Sequence, residues 1–166
     1  MVQDEADHLL IRRTAERYAI GADRRDKGLW REVLAEDCVI TGPGFSIAGR
    51  EANLHSLDAL GQMFRATVHR VHQVVAMIDG DSAIGETYST ADHLLKDRDE
   101  LLVWTIRYQD RWRRHGATWQ FTHRHLKVDW EEMRPVAHRC AMTALSAKTA
   151  FIAEQSAFRL VPKAAG

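Results

Sequence analysis

From Thr67 to Trp130 the hydrophobic pattern of this chain has a period of two, the spacing of strands with one face buried. Thr67–Ile78, Asp79-Gly80-Asp81 and Ser82–Leu95 read as one long hairpin closed by an Asp-Gly turn. Leu101–Trp112, Arg113–Ala117 and Thr118–Trp130 read as a second. Strands in globular proteins usually run for about 3–10 residues, so pieces this long predict bulges or strong curvature. A sheet that curls needs something to curl around.

The first half of the chain supplies it. Leu10, Ile11, Ala15, Tyr18, Ala19 and Ala22 recur at three- and four-residue spacing among Arg12, Arg13, Glu16 and Arg17, an amphipathic helix. Arg24–Gly28 interrupts it, Leu29–Ala35 adds further turns, and a second helix is expected over about Glu51–Met63. Between these, Thr41-Gly42-Pro43-Gly44 turns the chain from Cys38–Ile40 to Phe45–Ile47. Beyond Pro135, Val136–Phe158 carries a stripe of Cys140, Ala144, Ala147 and Phe151, predicting a C-terminal helix that caps the pocket or packs on a neighbour. Helices first and antiparallel strands after is an α+β pattern. At 166 residues it is expected to form one domain. A sheet curled over a helix leaves a concave pocket, so the partner expected is a small molecule.

Charge removes several other partners. Lys+Arg and Asp+Glu are both 23, and a nucleic-acid binder would favour a basic surface. The Arg111–His115 segment is basic and aromatic, but no basic stripe continues it, so it reads as a solvated turn. The acidic Met1–His8 stretch lacks a basic n-region and an apolar h-region. No apolar run approaches the roughly 20 residues that span a bilayer. Cys38 and Cys140 have no zinc-site spacing and read as small core residues. These features together predict a cytoplasmic protein.

The nine histidines are the richest source of chemistry near neutral pH. Strict alternation puts His69, Val71, Gln73, Val75 and Met77 on one mostly apolar face. His69 is then either a satisfied structural group or a general base shielded from water. From the strand alone the structural reading is the commoner one. Asp23, just past Ala22, is by the same standard a solvated helix-end residue. Its other reading is partner to an imidazole: a carboxylate accepting Nδ1–H fixes the tautomer and leaves Nε2 free to take a proton. His93, with Ala91 and Leu95 on its face, is either a second acid–base group or a polar residue near a strand end. His123 and His125 form a His-x-His pair, but no third ligand has suitable spacing, so no metal and no cofactor is expected.

Several stretches, taken in order, resemble the SnoaL-like branch of the NTF2-like superfamily. The resemblance is to the group containing scytalone dehydratase, bile-acid 7α-dehydratase and hexachlorocyclohexane dehydrochlorinase. Tyr18-Ala-Ile-Gly-Ala-Asp23 followed by Trp30–Asp37 resembles the opening helix and the entry to the first strand. Gly49-Arg50-Glu51 resembles the start of the next long helix, and His69 through Glu86 the His-bearing strand and its hairpin. Arg107–Trp112 with Trp119 and Arg124 resembles the last two strands. The resemblance covers about residues 8–130 and implies a cone-shaped α+β barrel, a highly curved antiparallel sheet closed by N-terminal helices. It also implies a base dyad of Asp23 and His69, a substrate-oxygen contact from Tyr18, a cation for a leaving group or enolate from Arg124, and a second acid–base role for His93. The implied activity is cofactor-independent elimination on a small hydrophobic or polycyclic substrate. Isomerisation or polyketide cyclisation by the same dyad, and a non-catalytic binding module, stay open. The family's frequent Asn four residues after the His is Gln73 here, and a common Gly is Arg107. A homo-oligomer, trimer or dimer, is also implied.

Overall fold

The computed structural model describes residues 2–137; the helix expected over Val136–Phe158 falls almost wholly outside them. Helix α1 (Val2–Arg24) buries Ile11, Ala15, Tyr18, Ala19 and Ala22 along one stripe. The left-handed Arg25 ends it, and the Asp26 carboxylate accepts from Leu29 N–H at 3.0 Å to start α2 (Lys27–Val33). Strands β1 (Leu34–Gly42) and β2 (Phe45–Ala48) form a short hairpin, followed by α3 (Arg50–Met63). Four long strands complete the chain: β3 (Phe64–Asp79), β4 (Ser82–Leu95), β5 (Glu100–His115) and β6 (Thr118–Pro135).

All six strands join one curled, unclosed sheet in the order β2-β1-β6-β5-β4-β3. Every neighbouring pair is antiparallel except β1 and β6. The α+β architecture and both hairpins expected from the period of two are present. So are the bulges: the ladder shifts register within β3 between Val71 and Val74, and between β5 and β6 at Thr105/Ile106 and Arg111/Trp112.

The β3 bulge corrects one expectation. His69 and Val71 do turn toward the interior, but the extra residue reverses the alternation beyond them. Val74, Ala76 and Ile78 then face inward, while Gln73, Val75 and Met77 are exposed on the outer face. An all-apolar run such as Val74–Met77 hides this shift, because either register buries something hydrophobic.

The core lies between the concave sheet face and α1. Trp30 stacks on Tyr18 with ring centroids 4.5 Å apart and donates its indole N–H to the Tyr18 carbonyl at 2.9 Å. Gly21 makes this approach available, since a Cβ there would lie 2.4 Å from Trp30 Cδ1. Phe121 and Tyr108 meet Tyr18 edge-on at 5.7 and 6.4 Å, contacts worth about 0.5–1.5 kcal/mol each beyond area burial. The α1 stripe is thereby fixed against β5 and β6, and its last inward turn delivers Asp23 to β3.

Candidate active site

Asp23 leaves the C-terminal turn of α1 and meets β3 where that strand turns Thr67 and His69 inward. Its Oδ1 accepts from His69 Nδ1 at 2.6 Å and from the Thr67 hydroxyl at 2.9 Å. Its Oδ2 accepts from the His69 backbone N–H at 2.9 Å. Burial alone would raise the Asp23 carboxyl, but the bonds from the His69 ring, the His69 backbone and Thr67 outweigh it and hold the group below its ordinary value. An ionised carboxylate only accepts, so Nδ1 of His69 carries the proton. In that tautomer the lone pair of the ring lies on Nε2.

His69 lines a cavity of about 580 Å³ enclosed by α1, α3 and the concave face of the sheet. Most of the wall is apolar, with Trp30, Phe64, Leu60, Trp104 and Ile106 prominent. The polar exceptions converge on it: His69, His93, Tyr18, Tyr108, Asn53 and Glu131 among them. This mixture of apolar walls and a few placed polar groups is the usual make-up of a small-molecule site.

His93 stands across from His69 with ring centroids 5.6 Å apart, wedged between Phe64 at 4.7 Å and Trp104 at 4.9 Å. Its Nδ1 lies 3.1 Å from the Leu102 carbonyl, which can only accept, so Nδ1 is protonated and Nε2 is an acceptor. Burial, reinforced by the neighbouring His69, pushes the His93 pKa down to about 4. The ring is therefore uncharged at neutral pH.

Tyr18 and Tyr108 supply donors. Burial raises the Tyr108 phenol to about 12 and the Tyr18 phenol further, against the pull of the nearby Arg124 cation. Both hydroxyls stay protonated, and neither has a hydrogen-bond partner among the described residues.

Arg124 is fully buried and does not line the cavity. Asp110 faces it directly across the β5–β6 ladder and takes Nε and Nη2 at 2.8 Å each. Thr87 donates to the same carboxylate at 2.7 Å. The guanidinium carbon sits 4.0 Å from the Tyr108 and Phe121 ring centres and 4.4 Å from that of Tyr18. The structure thus brings Tyr18, His69 and His93 to one cavity with Asp23 directly behind His69. It places Arg124 behind the tyrosines.

A model of the SnoaL-like domain matches residues 3–125, most of the chain. The chain belongs to the SnoaL-like family. A search of curated proteins returns no match, whereas many solved structures share the fold. The SnoaL-like chain is similar to the Kfla4162 protein of Kribbella flavida, with 23% identity over 78% of this chain and 95% of that one and a TM-score of 0.71. A putative scytalone dehydratase from Novosphingobium aromaticivorans shares 20% identity over 86% and 98% of the two chains, with a TM-score of 0.74. A type 2 hexachlorocyclohexane dehydrochlorinase, LinA, shares 17% over 86% and 98%, with a TM-score of 0.76. These likenesses establish the NTF2-like fold.

Two features of this SnoaL-like site escape the sequence. Tyr108 is not among the site residues expected from the sequence; it lies two residues before Asp110, the partner of Arg124, and lines the cavity. Asn53 is the other, a buried α3 residue whose amide donates to the carbonyls of Cys38, Ile47 and Gly49 while its Oδ1 has no partner among the described residues. His123 and His125 lie elsewhere, along an outer groove with Arg111 and Glu86. Among the described residues no group of three His, Cys, Asp or Glu is placed to hold a metal. Cys38 is buried, with burial raising its thiol to about 12, which makes it a core residue rather than a nucleophile.

Proposed function

We propose that this protein is a cofactor-independent lyase that begins by removing a proton from carbon on a small, largely apolar substrate. The observation that carries the reading is the 2.6 Å bond from His69 Nδ1 to Asp23, with the imidazole on the wall of an apolar cavity. A binding module needs the cavity but not a carboxylate aimed at an imidazole. His69 Nε2 takes the proton, and Asp23 stabilises the imidazolium that forms.

The electrons left on carbon need somewhere to go. Tyr18 and Tyr108 are neutral donors backed by the buried Arg124 cation, a fixed arrangement suited to an enolate or a departing oxygen. Arg124 therefore acts through the tyrosines rather than by touching substrate. His93, uncharged and 5.6 Å from His69, accepts a hydrogen bond from a substrate hydroxyl. The presence of this second imidazole also supports isomerisation or cyclisation, in which the proton returns to another atom.

A panel of cyclic β-hydroxy ketones and halogenated rings tests the proposal, with product formation followed by mass spectrometry. Proton transfer by a positioned base contributes about 10²–10⁴-fold, so His69→Ala and Asp23→Asn are expected to lose at least about a hundredfold of any turnover found. Turnover undiminished in His69→Ala would overturn the assignment.

A further inference from the structure

Helix α1 ends in a way that is expensive for the residue found there. Asp26 N–H bonds to the Gly21 carbonyl at 2.9 Å and Arg25 N–H to that of Ala22 at 3.4 Å, the paired bonds of a Schellman cap with Arg25 at its left-handed position. Glycine or asparagine normally fills that position, because a side chain strains it. Arg25 adopts φ +55° all the same. Its Nε is also buried without a partner among the described residues. Strain of this kind, two residues from Asp23, points to a purpose beyond capping.

The side chain shows what that purpose is. Arg25 Nη1 donates to the Ala22 carbonyl, and also to the Thr67 hydroxyl oxygen at 2.9 Å. Thr67 has one proton to give, and it goes to Asp23 Oδ1 at 2.9 Å. With its oxygen occupied by a cationic donor, the hydroxyl is oriented toward the carboxylate. Asp23 is thereby held by Thr67 on one side and by His69 on the other, both from β3. We propose that Arg25 is a positioning residue for the dyad, acting through Thr67 to hold Asp23 in the orientation that keeps the proton of His69 on Nδ1. This rests on the dyad reading above.

The test uses the full chain labelled with ¹⁵N-histidine, with ring resonances assigned by a His69→Gln control. In the wild type, His69 is expected as the Nδ1–H tautomer with a slowly exchanging ring proton. Arg25→Gly relieves the backbone strain, so its melting temperature should not fall. Its His69 Nδ1–H should nevertheless exchange at least tenfold faster, with the Nε2–H tautomer appearing. Thr67→Val should reproduce that change and Thr67→Ser should reverse it; Arg25→Asn, which also tolerates the left-handed backbone, carries the test if Arg25→Gly folds poorly. Wild-type tautomer and exchange in a folded Arg25→Gly, whatever Thr67→Val shows, would overturn the proposal and leave Arg25 a helix cap. Asp23→Ala separates the two claims, because it removes the acceptor: an unchanged His69 tautomer in that variant would instead overturn the dyad itself.

Discussion

His93 and Asp23 both resist taking a proton in the folded state, and both preferences are visible in stability. His93 is buried uncharged with its pKa lowered to about 4, while in the unfolded chain a histidine titrates near 6.5. Between those values the unfolded state binds the extra proton, so stability should fall as pH drops from about 6.5 to about 4, by on the order of 3 kcal/mol. Urea denaturation of wild type against His93→Phe at pH 7 and pH 5 checks this; the wild type should lose more. Asp23, held below its ordinary value, adds stability that is fully present above the ordinary carboxylate range. That contribution is lost at lower pH, as the folded-state carboxylate takes its proton. Arg124 and Asp110 form a fully buried pair, and removing one partner strands the other charge. Asp110→Asn is expected to cost about 3–5 kcal/mol in thermal or urea denaturation. At this scale the sequence was informative about residue type and silent about pairing. Asp23 and His69 lie 46 positions apart, and nothing in either local pattern reports that they meet. The family resemblance implied the pair, and it gave Arg124 a substrate oxygen where the structure gives it Asp110 and three rings.

The long strands were legible as elements because turn chemistry punctuates them: Gly80 and Gly116, both at positive φ, close the two hairpins. Their facing was legible only as far as the first bulge. Val74 to Met77 is apolar throughout, so alternation loses its meaning beyond the β3 register shift, and Gln73, Val75 and Met77 end up outside. Close approach on the neighbouring strand accompanies that shift. A Cβ on Gly85 would lie 1.9 Å from the Val75 carbonyl oxygen, backbone that cannot simply move aside. Gly85→Ala is therefore expected to destabilise by about 1–3 kcal/mol, read as a lower urea midpoint with unchanged slope. Tyr108 was missed for a related reason: on β5 it sits among Trp104, Ile106 and Trp112 as one more large inward residue, and only the cavity distinguishes it.

Across the whole molecule the sheet has two faces with different tasks. The concave face encloses the site. The outer face exposes Val75, Met77 and Ile84, with Met77 and Ile84 directly paired across β3 and β4. Exposed apolar groups this close together support the expectation of a homo-oligomer. Sedimentation is expected to give a dimer or trimer, shifted toward monomer by Met77→Glu with Ile84→Glu; a monomeric wild type would contradict this. No helix among the described residues is long and apolar enough to cross a membrane. The first step of the proposed reaction is removal of a proton from carbon by His69, whatever follows. Hydrogen–deuterium exchange next to the carbonyl of cyclic ketones in D₂O, followed by NMR, tests that step without requiring the natural substrate. Exchange well above the buffer rate is expected with the wild-type protein, falling at least about a hundredfold in His69→Ala. Exchange that is equal in the two proteins would contradict it.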